Sequence, residues 1–221
     1  MTDQQLFGQT MLDEAVRALR ADLLAPGGPR ISTMRNYRFA ILPYKPSEEF
    51  KLRRHMRRLT DELKGAGWGV LAISLQKLLV DRIRASGDAG VQALITREKR
   101  LFFGDSVKGS EPSPERALEH VREKIAPLIE GPDGIAADVV RLITDFIKSH
   151  PDRADQTLVL IGRSGALYPF FRSSALLKHI DGKTQNIPVV LLYPGERRDT
   201  TALSFMGELP ADRDYRPRIY P

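Results

Sequence analysis

Four short, nearly continuous apolar runs constrain the fold of this chain more than any other feature, and they include VLAISL, TLVLIG and PVVLLY. Polar residues do not alternate with apolar ones within these runs, which indicates strands that are buried on both faces. Such strands occur in parallel sheets that carry helices on both sides. With a fifth run near the C-terminus, they predict strands over Tyr37–Pro43, Gly69–Leu75, Thr157–Gly162, Ile187–Tyr193 and Arg216–Tyr220.

The segments between the strands have apolar residues at helical spacing. Ser47 and Ser113 stand where they can cap helices, and Pro127 is expected to end or kink the helix that follows Ser113. We predict helices over 47–64, 76–85, 90–103, from 113, from 133 and over 167–180. This alternation predicts an α/β protein with a doubly wound, mostly parallel five-stranded sheet, flanking helices and a helical subregion between strands two and three.

A chain of 221 residues can bury one sizeable core. We predict one α/β domain over 1–221, with a helical segment at 1–35 and the main core at 36–220. No apolar run approaches the ~20 residues that span a bilayer. The segment MTDQQLFGQTMLDEAVRALR contains acids and lacks the apolar stretch of a signal peptide. We therefore expect a cytoplasmic protein without membrane contact.

The residue types that most often carry catalysis or bind metals are absent or scattered. The chain has no cysteine, which excludes thiol nucleophiles, disulfides and cysteine metal sites. Its four histidines lie far apart and form no HxH, HxxxH or HExxH pair. We therefore expect no catalytic residues, no metal site and no cofactor.

The segment TLVLIGRSGALYPFF predicts a buried strand, a glycine turn and a helix, an arrangement that can present backbone donors to an anion. The phosphate-loop pattern GxxxxGK[ST] is absent, so a turn that needs glycine for backbone clearance is favoured over a nucleotide site. Ser164 resembles the nucleophile of a G-x-S-x-G elbow, but Ala166 replaces the last glycine. Only His179 follows as a base, too near in sequence for a triad.

The carboxyl ends of parallel strands meet at one edge, where open α/β sheets bind their ligands. Several arginines and a lysine fall at this edge, with no acid or base among them, so the pattern favours binding over chemistry. The candidate interaction or ligand residues are Lys45, Gly162, Arg163, Ser164, Gly165, Tyr168, Arg172, Tyr193, Gly195, Arg197, Arg198 and Arg218.

A second cationic feature is the run KLRRHMRRL, Lys51 to Leu59. On a helix its leucines and methionine face the core while its arginines face outwards, and Asp61 and Glu62 follow at pairing distance. We favour a solvated helix face, then a docking surface for an acidic partner, then a DNA contact. The formal net charge of +6 permits weak contact with nucleic acid but does not require it.

Two C-terminal motifs carry a family resemblance. The first is a strand that leads into a glycine–serine turn, a Tyr-Pro-Phe and an arginine. The second is a strand that ends in Tyr-Pro-Gly. It is followed by Leu-x-Phe and by a last strand with tyrosine and arginine. The residues are Gly162, Gly165, Tyr168, Pro169, Phe170, Arg172, Tyr193, Pro194, Gly195, Leu203, Phe205, Tyr215, Arg218 and Tyr220. This pattern resembles BrxB, a component family of the BREX bacteriophage-exclusion systems, over most of Asn36 to Tyr220.

The resemblance implies a small subunit of a phage-defence operon whose other products include an adenine methyltransferase, a large ATPase and the phosphatase-like PglZ. It brings no catalytic residues with it. Our leading hypothesis is therefore a non-enzymatic interaction subunit that docks onto PglZ or another BREX component. The alternatives are a degenerate nucleotide-binding or nucleotide-hydrolysing module that uses Gly162 to Ala166, and a DNA-binding accessory protein that uses Lys51 to Arg58.

The C-terminal arginines bear on the docking surface. Arg197, Arg198, Arg216 and Arg218 cannot all be buried without acidic partners. We therefore expect several of them to face solvent and to be available to a partner protein.

The missing phosphate-loop lysine predicts that the purified protein does not hydrolyse ATP. The measurement is phosphate release with ATP and magnesium. Hydrolysis that disappears in Gly165→Asp would contradict the non-enzymatic hypothesis.

Overall fold

Six strands form one sheet in the part of the chain that the structure, a computed structural model, describes. The described residues are 10–26, 28–31, 38–104, 111–151, 156–197, 202–208 and 217–221. The strands are β1 Phe39–Tyr44, β2 Gly69–Ser74, β3 Thr157–Gly162, β4 Val189–Arg197, β5 Leu203–Phe205 and β6 Arg218–Ile219. Tyr37 and Arg216, the first residues of two predicted strands, lie outside the described ranges.

The strands lie in the order β2-β3-β4-β1-β6, and all of these pairings are parallel. The short strand β5, which we did not predict, pairs with β4 in the antiparallel direction. The mostly parallel α/β sheet is thus confirmed, with one additional strand. β1 lies between β4 and β6, so an N-terminal strand is flanked by two strands from the C-terminal part of the chain.

Helices cover both faces of the sheet. They are α1 Met11–Leu23, α2 Glu49–Gly65, α3 Leu75–Ala85, α4 Gly87–Phe103, α5 Pro114–Glu130, α6 Ile135–Ser149 and α7 Ser173–Ile180. One hydrophobic cluster joins the sheet to α3, α5, α6 and α7, and a second joins its other face to α1 and α2. Because the connections lie on opposite faces, the sheet is doubly wound, as predicted. No described helix combines the length and apolarity that crossing a membrane requires.

Three helix boundaries differ from the sequence prediction. The helix predicted over 167–180 begins only at Ser173, after a short 3-10 turn at Ser164–Leu167, because Pro169 disfavours a helical conformation at the residue before it. Pro127 lies inside α5, where it removes one backbone hydrogen bond, and the helix ends three residues later at Glu130. Ser47 lies in a 3-10 turn rather than capping α2, whereas Ser113 does cap α5.

The β4–β5 hairpin depends on the absence of a side chain at Gly195. A Cβ atom there would lie 2.2 Å from the Ser204 carbonyl oxygen and 2.6 Å from Cε1 of Tyr193. The Tyr193 ring also contacts Phe205 edge-on, with ring centroids 5.4 Å apart. A side chain at this position would therefore separate β5 from β4.

We predict that Gly195→Ala lowers the free energy of unfolding by roughly 1–3 kcal/mol, the range for overpacking a well-packed interior. Urea unfolding followed by circular dichroism measures this. Gly65→Ala in α2 is the matched control, because a Cβ there meets nothing within 4 Å. Equal free energies of unfolding for the two variants would show that the hairpin tolerates the extra atom.

Candidate functional site

A groove opens at the carboxyl edge of the sheet, between α2 and the strands β2 and β3. We call this cavity the α2 groove; its volume is about 460 Å³. It forms because β2 is incompletely covered on the face that α2 occupies. Val70 and Ser74 are half-buried there and Ala72 is exposed. The rest of this face is buried beneath α1 and α2.

The α2 groove has an apolar floor and a cationic rim. Leu160 and Leu192 contribute to the floor from β3 and β4, and Leu52 and Met56 contribute to the wall from α2. The rim residues from α2 are Arg53, Arg57 and Thr60. Arg57 is exposed and forms no ion pair with any residue in the described ranges. A few polar groups around an apolar cavity are typical of ligand and partner sites.

A single carboxylate organises one end of the groove. Oε2 of Glu49 accepts a hydrogen bond from the Tyr44 hydroxyl at 2.5 Å, and Oε1 accepts from Nε of Arg53 at 2.9 Å. Nη1 of Arg163 approaches the same Oε1 at 3.2 Å, and its Nε donates to Gln76 at 3.0 Å. We call these five residues the Glu49 cluster. The expectation that this edge lacks acids is therefore wrong.

The Glu49 cluster holds its members in defined states. Burial, and then the hydrogen bond to Glu49, raise the pKa of Tyr44, so its phenol remains a donor at neutral pH. Arg163 follows β3 with φ 64° and ψ 26°, in the left-handed region that non-glycine residues seldom adopt. In this conformation its side chain bonds both Glu49 and Gln76. Non-glycine residues in such conformations cluster at functional sites.

A smaller cavity of about 200 Å³ lies on the other side of the Glu49 cluster. Tyr44, Glu49 and Arg163 line both cavities, so the cluster forms the boundary between them. Gly165 and Met206 line only the smaller one. A Cβ at Gly165 would lie 3.2 Å from Sδ of Met206, so a side chain there would fill part of this space.

Four of the predicted edge residues come together here. Gly162 and Arg163 line the α2 groove, and Arg163 and Gly165 line the smaller cavity. Lys45 directly follows β1 and is exposed at the same edge. Three of these residues thus line the cavities, and Lys45 lies at the same edge without lining either one.

Ser164, Tyr193 and Gly195 belong to the interior of the edge. The Ser164 side chain is buried and its hydroxyl donates to the Leu192 carbonyl at 3.3 Å. The buried Tyr193 hydroxyl donates to the Leu203 carbonyl, also at 3.3 Å. These residues support the edge from within, and the Ser164 hydroxyl is not exposed as a nucleophile would be.

The remaining predicted residues are dispersed. Arg172 lines a separate small cavity together with His179, and Tyr168 is exposed beside Phe205. Arg197 ends β4 and is exposed. Arg198 lies outside the described residues.

Arg218 has an acidic partner, which we did not anticipate. Its Nη2 lies 2.8 Å from Oδ2 of Asp22 in α1, and its guanidinium lies over the Tyr220 ring, 4.9 Å from the centroid. Tyr220 donates to the same carboxylate at 2.9 Å. Arg218 therefore joins β6 to α1, at a distance from the α2 groove.

Sequence reasoning did not find Glu49 or Gln76 as site residues, and it considered Arg57 only as one arginine of the run Lys51 to Leu59. Glu49 and Gln76 lie in the first turns of α2 and α3. An acid in a first helical turn is common because it stabilises the helix dipole. Arg57 was one of several arginines on a helix face. Nothing in the local pattern distinguished these residues from ordinary surface positions.

A family model described as BREX protein BrxB matches residues 71–219, more than half of the chain. The chain belongs to the BrxB family. BrxB proteins are components of BREX phage-defence systems, so this chain is a BREX component. No curated protein and no solved structure matches it.

The BrxB match includes the floor of the α2 groove but not its wall. Ala72, Leu160, Arg163 and Leu192 fall within the matched residues, whereas all of α2 precedes them. The groove is therefore assembled from the matched part of the chain and from a helix outside it.

We predict that Glu49 and Arg163 are energetically coupled. In a double-mutant cycle with Glu49→Gln and Arg163→Gln, the coupling energy should be about 1 kcal/mol, because the partly buried pair shares a network. Chemical unfolding of the four proteins measures it. The exposed pair Arg122 and Glu119 serves as a control and should couple less. Strict additivity at Glu49 and Arg163 would contradict the role of the cluster.

Proposed function

We propose that this BrxB protein is a non-enzymatic interaction subunit of a BREX complex and that it docks onto the phosphatase-like PglZ component. The observation that carries the proposal is the α2 groove, an apolar cavity with an arginine rim at the carboxyl edge of the sheet. Arginine, methionine and aromatic residues are enriched at the energetic centres of protein interfaces, and Arg53, Arg57, Met56 and Tyr44 line this groove.

Three observations support binding rather than catalysis. The groove lining includes one carboxylate, Glu49, and this carboxylate is occupied by a tyrosine and two arginines. Ser164 is buried, and His179 lies at a separate cavity. In the described part of the chain, no three histidine, aspartate or glutamate side chains are grouped so that they could hold a metal.

The two alternative functions receive less support. The turn at Gly162 to Ala166 itself forms most of a 3-10 turn, Ser164–Leu167, and no α-helix begins there, so it lacks the helix N-terminus of a phosphate site. Lys51 and His55 on α2 contact the Asp13 carboxylate of α1, with Nζ at 2.6 Å and Nε2 at 2.9 Å. Arg54 and Arg58 stay exposed on that face, and they would support at most weak, salt-sensitive contact with nucleic acid.

We predict that reversing Arg197 and Arg198 to Glu weakens association with PglZ and leaves the fold intact. Arg197 is exposed at the end of β4, beside the edge that contains the groove. A pull-down or titration with purified PglZ, together with a circular-dichroism melt of the variant, tests this.

The matched control is the reversal of Arg116 and Arg122 on α5, which should bind PglZ as the wild type does. Unchanged binding by the Arg197 and Arg198 variant with an unchanged melt would show that the docking surface does not extend to the end of β4. The next candidates would then be Arg54 and Arg58. Failure of the wild-type protein to bind PglZ would overturn the proposed partner.

A further inference from the structure

The strand β2 has an open backbone edge. It is the outermost strand of the sheet and pairs only with β3. No described residue outside β3 makes a backbone hydrogen bond to Val70, Leu71, Ala72 or Ile73. With respect to the described part of the chain, the strand therefore presents unused backbone donors and acceptors along its outer side, as an edge strand does.

This edge lacks the devices that normally prevent unwanted pairing. Natural edge strands are short, or contain charged residues, proline or a bulge. The sequence of β2 is GVLAIS, with no charge and no proline, and its pairing with β3 is regular over all six residues. The opposite edge, β6, is only two residues long. Of the two outer strands, β2 is therefore the one whose length and composition leave it open to pairing with another segment.

The α2 groove lies directly beside this edge. Val70, Ala72 and Ser74 alternate along β2 on the α2 face, and Ala72 and Ser74 line the groove. Because side chains alternate along a strand, an added strand would direct every second side chain towards the groove. The apolar floor of the α2 groove fits one apolar side chain of the added strand. Arg57 on the rim, which has no acidic partner among the described residues, fits a carboxylate on the added strand two residues from that apolar side chain.

We propose that β2 accepts an extended acidic–apolar segment of a protein partner as an additional strand. An apolar side chain of that segment fills the α2 groove and a neighbouring carboxylate pairs with Arg57. This is strand addition, in which the main chain supplies affinity and side-chain pockets supply specificity. The inference rests on the proposed function and specifies the chemistry of the partner.

A second copy of this chain fits the edge less well. Two β2 strands in antiparallel contact would offer each groove only the small side chains Val70, Ala72 and Ser74, which cannot fill about 460 Å³. Each copy also has a formal net charge of +6. The cationic rim would find no acid on the other β2. A partner segment with an apolar and an acidic side chain can fill the cavity and pair with the cationic rim.

A labelled peptide tests the inference without PglZ. In the probe, valine, phenylalanine and glutamate occupy alternate positions with serine between them, so that all three share one face of a strand. A second peptide has lysine in place of glutamate. We expect the acidic peptide to bind the full chain, measured by fluorescence anisotropy, and to protect amides of 69–74 from hydrogen exchange. The lysine peptide should bind at least tenfold more weakly.

Two variants identify the groove. Ala72→Trp fills it and Arg57→Glu reverses the rim charge, so each should weaken the acidic peptide at least tenfold. Arg57→Glu should also bind the lysine peptide more tightly than the wild type does. The controls are Ala93→Trp and Arg116→Glu, exposed positions on α4 and α5 that should change nothing. Circular-dichroism melts of all four variants check that each of them folds.

The outcomes separate this inference from the proposed function. If PglZ binds the wild type and Ala72→Trp equally, and the peptides bind without charge preference, the inference is overturned and the proposed function stands. If PglZ does not bind but the acidic peptide shows the expected pattern, the inference stands and the proposed partner falls. A dimer in light scattering that is lost in Ala72→Trp would make a second copy the occupant and would also overturn the inference.

Discussion

The parallel pairing of β1 with β4 is the interaction on which the rest of the structure depends. Six residues of β1 pair in register with β4, from Phe39 with Val189 to Tyr44 with Pro194. Both strands are buried on both faces, so their backbone groups can be satisfied only by each other and by the next strands. This pairing brings Tyr44, and with it the first turn of α2, to the end of β3 where Arg163 lies. The Glu49 cluster exists because of that register.

The α2 groove follows from the same arrangement. The α2 helix connects β1 to β2 across the face of β3 and β4, since two strands separate β1 from β2 in the sheet. One helix covers the middle of this face but does not fully cover β2. The groove is thus a consequence of strand order, and its charge comes from the outward residues of α2. The α2 helix is thus both the connection between β1 and β2 and one wall of the candidate site.

The sheet was predictable because burial on both faces leaves a continuous apolar run that a single sequence displays directly. The strand β5 was not, because LSF is too short to show a pattern. The helix start at Ser173 was missed although Pro169 was visible, since the apolar residues after Leu167 retain helical spacing. Glu49 and Arg163 are 114 residues apart. Long-range pairs between charged residues leave no local signal, so the acid at the centre of the site could not be found from the sequence.

The position of β1 between β4 and β6 has a consequence for synthesis. Ala40 pairs with Arg218, so a ribosome completes β1 long before it makes the strand that covers one of its edges. At 5–20 residues per second this interval lasts roughly 10 to 40 seconds. During that time α1 also lacks Tyr220, which is fully buried in its hydrophobic cluster in the finished protein. Folding of this sheet therefore cannot finish before the chain has been made as far as β6, and until then one edge of an apolar central strand lacks its partner.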